Sequence, residues 1–170
     1  MPEQTVISDD AVTSGLPVFM QTKGARPHDW LALTGGAIGQ GMPAATGAAV
    51  AAPGRPVLNL QADGSALYTL QALWTQAREG LDVTTVVCAN RSYAILNLEL
   101  SRVGATATGT RAAGMLELDR PPVDFVALAQ GLGVPASRAT TAEELVGALE
   151  RGLAEPGPVL IEAVLPPGLG

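Results

Sequence analysis

The sequence predicts an α/β protein with a doubly wound, mainly parallel sheet and helices on both faces. Three observations carry this. Short apolar runs alternate along the chain with longer segments of helical period. One run, Val83–Ala89 (VTTVVCA), is continuous and rich in β-branched residues, as a strand covered on both faces requires. Two turns, one glycine-rich and one opening on an aspartate, stand directly between a strand and a helix, where such sheets carry their ligands.

The elements follow in order. Residues 30–34 (WLALT) read as a strand, and the small-residue stretch 40–52 as the helix after it. Residues 57–61 (VLNLQ) form the next strand. Residues 65–79 place Leu67, Leu70, Leu73, Trp74 and Ala77 at helical spacing, which predicts one amphipathic helix with Trp74 in its packing face. After Val83–Ala89, residues 104–122 (including GATATGTRAAG) show no period and read as a long, mobile loop. Helices are expected over residues 124–131 and 143–153, the second with Thr141 as N-cap and Glu144 three residues on. Residues 159–164 make the last strand. With 170 residues and no linker, the chain reads as one domain over 1–170 with its core over 7–165.

Charge and cysteine content narrow the function. Ten basic against 16 acidic side chains, one of the basic ones a lysine (Lys23), leave no patch for nucleic acid or an anionic membrane. No apolar stretch is long enough to span a bilayer. One cysteine, Cys88, excludes an internal disulfide and reads as a small buried hydrophobe, and the N-terminus has no charged region ahead of an apolar one. A cytoplasmic protein is expected. His28, the one histidine, has no nucleophile motif to serve and reads as structural.

Chemistry concentrates in two turns. Residues 34–43 (TGGAIGQGMP) let backbone approach a ligand without an intervening Cβ, yet the stretch from Gly39 lacks the third glycine of the dinucleotide fingerprint and there is no P-loop. Asp63 follows a strand and precedes a helix, with the N–H groups of Gly64 and Ser65 placed for phosphate oxygens. A carboxylate beside phosphates calls for a cation between them, and Mg²⁺ takes few protein oxygens plus substrate phosphates. Asn90, 27 residues later at the end of the next strand, can supply a second oxygen. Taken singly, Asp63 also reads as an ordinary helix cap and Asn90 as an ordinary turn residue.

Asp63-Gly64-Ser65, Asn90 at that spacing, Ser92 two residues further and the preceding TGGAIGQGMPAATGAA together resemble the diphosphate-binding, C-terminal domain of thiamine diphosphate (ThDP) enzymes of the acetolactate synthase and 2-oxo acid decarboxylase group. The resemblance implies the ThDP-binding fold, ThDP and Mg²⁺ as cofactors, and Asp63, Asn90 and the Ser92 carbonyl as metal ligands. It implies diphosphate contacts at Gly64 and Ser65, Ile38 as the apolar prop under a bent cofactor, and the Gly36 carbonyl as acceptor for the aminopyrimidine. Ala37 and Tyr93 fall within the same cofactor-binding segments, and Thr13 and Ser14 where a hydroxyl approaches the diphosphate.

The family's metal motif usually begins with Gly, whereas Ala62 stands here, a difference that bears on cofactor affinity. The activating glutamate of the family comes from a pyrimidine-binding domain, and no acidic residue of this chain matches it. The resemblance therefore implies a half-site that needs a pyrimidine-binding domain or subunit, in a homo- or hetero-oligomer, to act on a small 2-oxo acid by decarboxylation or carboligation. A non-catalytic α/β assembly or regulatory module binding another diphosphate ligand is the alternative reading.

Overall fold

The computed structural model describes residues 1–105 and 109–166. The elements run β1 (Val6–Asp10), α1 (Gly15–Gln21), β2 (Asp29–Ala32), α2 (Gly41–Ala51), β3 (Val57–Ala62), α3 (Asp63–Thr69), α4 (Ala72–Glu79), β4 (Val83–Ala89), α5 (Ala94–Arg102), α6 (Thr110–Gly114), α7 (Phe125–Gly131), β5 (Ala136–Ala139), α8 (Ala142–Ala154) and β6 (Val159–Val164). The six strands form one sheet in the order β2-β1-β3-β4-β6-β5, with all five pairings parallel. The expected doubly wound α/β architecture is what forms.

Helices cover both faces because strand residues alternate between them. Ile7, Leu58, Leu60, Val86 and Ile161 pack with Ala148, Leu145 and Leu149 of α8. On the other face Met42, Ala66, Leu73, Val87, Phe125 and Leu160 join α2, α3, α4 and α7, and Val6, Val57 and Val83 meet Ala45 and Ala49 of α2. Small residues on α2 let that helix lie close to the strands.

Not all of the buried sheet is apolar. On the α2 face, Ser8 pairs with Asn59, Asn59 with Thr85, and Asp10 with Gln61 in the strand register, and all five are buried. Burying such groups is tolerated only with partners. Asn59 Nδ2 donates to Thr85 Oγ1 (3.3 Å), Gln61 Nε2 to Asp10 Oδ2 (3.0 Å), and Ser8 Oγ to the Gly41 carbonyl (2.9 Å). A polar layer therefore lies beneath the start of α2.

Several expectations are corrected. The expected helix over residues 65–79 is two helices, α3 and α4, and starts at Asp63; Leu73 stays buried. The break turns Leu67 outward and leaves Trp74 51% exposed, with the Arg78 guanidinium 4.9 Å over its ring, so Trp74 is no core residue. The first strand spans Asp29–Ala32 and is an exposed edge, tied down by Trp30 against Phe19 of α1 (5.1 Å, edge to face). Strands β1 and β5 escaped the apolar pattern because each carries polar or small residues.

Residues 104–122 are not aperiodic throughout. Thr110–Gly114 is helical, and Glu117 bridges back to Ser92, while 106–108 lie outside the described residues. His28 is half-buried beside Trp30, with Nδ1 2.8 Å from the Arg26 carbonyl. No described helix is long and apolar enough to cross a membrane.

The start of α8 follows its sequence signature with one shift. Thr141 Oγ1 accepts from the Glu144 N–H (3.2 Å), while Glu144 Oε2 accepts from the N–H (2.7 Å) and hydroxyl of Thr140 rather than from the cap residue. The Thr140 N–H and then the Thr140 hydroxyl hold the Glu144 carboxyl below its usual range. A lowered carboxyl stabilises the fold above the ordinary glutamate range, and that contribution is lost as pH falls through the lowered value. The melting-temperature difference between the natural chain and Glu144→Gln should be constant near neutrality and vanish in acid.

Glycines in α2 divide sharply. A Cβ on Gly41 would collide with Gln61 Oε1 and lie 2.5 Å from Asp10 Cβ, whereas one on Gly47 meets nothing within 4 Å. In urea unfolding, Gly41→Ala should cost about 1–3 kcal/mol, and Gly47→Ala should stabilise by roughly 0.5–1 kcal/mol.

Candidate functional site

The chain runs from β1 outward to β2 and then returns to β1's other side as β3, so the sheet reverses its winding between β1 and β3. A crevice opens beyond the carboxyl ends of strands at such a point. Here the turns after β1, β3 and β4 meet the glycine-rich turn around a small open cleft. Its lining includes Thr13, Ile38, Asp63, Gly64, Ser65, Asn90, Ser92 and Tyr93, eight residues named from sequence. Ser14, Gly36 and Ala37 are not among the lining residues; Ser14 directly precedes α1 and makes no side-chain capping bond, and Gly36 and Ala37 lie on the exposed part of the turn.

Asp63 begins α3 and is 3% exposed. It does not make the ordinary cap bond. Its Oδ1 accepts from the N–H of Gly64 (2.8 Å) and its Oδ2 from the N–H of Arg91 (2.6 Å), so the carboxylate ties the turn after β3 to the turn after β4. Burial pushes the Asp63 carboxyl above its ordinary range, against the pull of these donors. Each oxygen keeps lone-pair capacity for a further partner.

Asn90 ends the neighbouring strand, and its Oδ1 accepts from the Ser92 N–H (3.0 Å), which curls the chain into a tight turn. Arg91 between them has φ 59°, a left-handed conformation costing a non-glycine residue about 1–2 kcal/mol. Two bonds hold it there: its N–H to Asp63 and its carbonyl to the Leu118 N–H (2.8 Å). The Tyr93 N–H donates to the Leu116 carbonyl (2.9 Å). This bridge uses the groups on either side of Ser92 and leaves the Ser92 carbonyl out. Residues 116–118, from the stretch expected to be a mobile loop, thus brace the Asn90 turn.

Gly64 is glycine because the Tyr93 ring lies on it: a Cβ there would sit 2.5 Å from Tyr93 Cε1. The Gly36 carbonyl accepts from the Ile38 N–H (3.0 Å) within the glycine-rich turn, where Gly35, Gly36 and Gly39 all have positive φ. Ala62 takes φ −73° and ψ 149°, which any residue adopts, so a Cβ in place of the family's glycine strains nothing. The Cys88 thiol is pushed up to about 12, first by burial and then by the charges of Asp63 and Asp9, which fits an inert side chain.

The donor set suits one hard divalent ion. Asp63 offers a carboxylate, Asn90 an amide oxygen and Ser92 a carbonyl, and the described residues hold no group of three His, Cys, Asp or Glu side chains able to bind a metal. So few protein oxygens leave most of an octahedral shell to phosphate and water, the pattern Mg²⁺ takes.

Sequence reasoning missed Val12 and Asp10. Val12 lines the cleft with φ 51°, a left-handed conformation rare for a β-branched residue. Asp10 is fully buried, and its Oδ2 accepts from the N–H groups of Gly39 (2.9 Å) and Gly41 (3.1 Å). The unusual run of two acids closing an apolar strand was its one signal.

Relieving Arg91 checks how the turn is held. Arg91→Gly should raise unfolding stability by about 1 kcal/mol if Asp63 and Leu118 keep their bonds. Gly64→Ala should displace the Tyr93 ring, seen as a change in tyrosine near-ultraviolet dichroism.

Residues 15–163 match the family described as thiamine pyrophosphate enzyme, C-terminal TPP binding domain. The chain is 55% identical, over its full length, to "Putative acetolactate synthase large subunit IlvX" of Mycobacterium tuberculosis, covering 33% of that protein. It is 34% identical over 95% of its length to the benzoylformate decarboxylase of Pseudomonas aeruginosa, covering 29% of it. Among solved structures, a thiamine diphosphate-dependent 4-hydroxybenzoylformate decarboxylase from Rhodococcus jostii superposes with a TM-score of 0.84 at 28% identity, over 99% of this chain and 31% of that one. The chain therefore spans about a third of the length of these relatives. With its switch-point cleft and its Asp63 and Asn90 turns, the chain belongs to the thiamine pyrophosphate enzyme family, as a C-terminal TPP-binding domain.

Proposed function

We propose that the chain binds thiamine diphosphate through Mg²⁺ and forms the diphosphate-binding part of an acetolactate synthase- or decarboxylase-like enzyme acting on 2-oxo acids. The observation that carries this reading is the convergence of Asp63, Asn90, Ser92 and Ile38 on one cleft at the carboxyl ends of β1, β3 and β4. Asp63, Asn90 and the Ser92 carbonyl hold the ion. The Gly64 and Ser65 turn lies against the diphosphate, with the Thr13 hydroxyl beside it. Ile38 would be the apolar residue against the cofactor, and the Gly36 carbonyl, which already accepts from the Ile38 N–H, would offer its second lone pair to the aminopyrimidine. When bound, ThDP supplies an electron sink for cleavage beside a carbonyl. This chain's own contribution is binding, orientation and neutralisation of the diphosphate charge.

The activating glutamate belongs to a pyrimidine-binding domain or partner subunit in this reading, and the working enzyme is an oligomer in the cytoplasm. That the chain spans about a third of its relatives supports the need for a further domain. The unstrained backbone at Ala62 removes one motive for a non-catalytic module.

Calorimetry tests the cofactor reading. ThDP should bind with Mg²⁺ present, and binding should fall at least about tenfold on chelation of the metal or in Asp63→Asn; equal binding with and without Mg²⁺ overturns it. Supplied with ThDP, Mg²⁺ and pyruvate or benzoylformate, the purified chain should release no CO₂, and turnover should appear on adding a pyrimidine-binding domain. Turnover by the chain alone overturns the half-site.

A further inference from the structure

The two peptide units that meet at Gly39 of the glycine-rich turn are held from two directions. The Gly39 N–H donates to Asp10 Oδ2 at 2.9 Å, and the Gly39 carbonyl accepts from Thr69 Oγ1 at 2.8 Å. The two anchors come from different parts of the fold. Asp10 is the last residue of β1, fully buried, and the same oxygen also accepts from Gly41 N–H and Gln61 Nε2. Three donors on one carboxylate oxygen make strong, charge-assisted bonds. Thr69 is the last residue of α3, the helix that Asp63 begins.

The turn also rests on α3 by packing. Gly39 has φ 92°, and a Cβ on it would lie 2.8 Å from Tyr68 Cβ. Ile38, the residue before Gly39, lines the same cleft as Asp63 and Asn90. Displacing the Gly39 peptide therefore displaces Ile38 relative to Asp63.

We propose that Asp10 and Thr69 are positioning residues: together they clamp the Gly39 peptide and so set the distance between the Ile38 prop and the Asp63 carboxylate. Neither residue is among those lining the cleft. Both act through the turn, Asp10 from the sheet and Thr69 from the far end of the helix that presents Asp63. The ligand in question is the thiamine diphosphate of the reading above, on which this proposal rests for its functional consequence.

The test uses the purified chain with Thr69→Val, which removes one hydroxyl at nearly constant volume, and Asp10→Asn, which keeps an acceptor and removes the charge. Amide exchange by NMR reads the clamp without any ligand. Gly39 and Gly41 amides should exchange about tenfold faster in Asp10→Asn than in the natural chain, with Val86 of β4 shifted only by the change in global stability.

Calorimetry with ThDP and Mg²⁺ reads the consequence. Thr69→Val should weaken affinity about fivefold or more, and most of that loss should disappear in an Ile38→Ala background, because coupled residues are not additive. Losses that add fully to that of Ile38→Ala, or Gly39 and Gly41 amides no more mobile than Val86, overturn the proposal. Failure of the natural chain to bind ThDP would defeat the cofactor reading instead, and the exchange measurement would still decide whether the clamp exists. If Asp10→Asn does not fold, Thr69→Val and its cycle with Ile38→Ala carry the test.

Discussion

The parallel register of β1, β3 and β4 is the constraint on which the site depends. Asp10 lies level with Gln61, and Ala62 level with Cys88. Three strands consequently end side by side, and side-chain bonds from Asp63 to the Arg91 N–H and from Asp10 to the Gly39 N–H then tie the turns leaving them together. Parallel strands buried on both faces demand apolar side chains or satisfied polar ones. The sheet is apolar where Ile7, Leu58, Leu60, Val86 and Ile161 meet α8, and polar beneath the start of α2, where Asn59 bonds to Thr85, Gln61 to Asp10 and Ser8 to the Gly41 carbonyl, while Asp10 Oδ1, Asn59 Oδ1 and Gln61 Oε1 stay buried without a hydrogen-bond partner.

Three buried carboxylates show how differently one fold handles negative charge. Glu162 on β6 has a guanidinium, with Arg138 Nε 3.0 Å from its Oε2, and Arg138 also reaches Asp124 at the start of α7. Asp10 has three N–H donors, from Gly39, Gly41 and Gln61. Asp63 has two, and burial raises its carboxyl. Of the three, Asp63 lines the cleft with Asn90 and Ser92, where a bound cation would complete its compensation. Glu162 and Asp10 do not line that cleft.

Much of this was legible in the sequence, and the failures have physical causes. The strands over Val57–Ala62, Val83–Ala89 and Val159–Val164 are written in apolar runs, and the Asp63 and Asn90 turns follow directly from where those strands end. Strand β1 was hidden because Ser8, Asp9 and Asp10 break the apolar pattern: Ser8 serves the polar layer, Asp10 the glycine-rich turn, and Asp9 accepts from the Ala11 N–H. Trp74 sits at helical spacing from Leu67 and Leu70, yet the break between Thr69 and Ala72 rotates it outward, which periodicity within one window cannot register. The bracing of Asn90's turn by residues 116–118 is a backbone matter: Leu118 N–H and the Leu116 carbonyl do the work, and side-chain patterns carry no trace of it.

The way Gly39 is held bears on what can be transplanted. Its amide and carbonyl are satisfied by Asp10 and Thr69, 29 and 30 residues away in opposite directions along the chain. A glycine-rich turn moved by itself into another α/β scaffold would arrive with a donor and an acceptor unanswered and no fixed height above the sheet. The portable module is three separate pieces of chain, a strand end, a turn and a helix end. Diversification of this pocket, by evolution or by an engineer, has to move them as one.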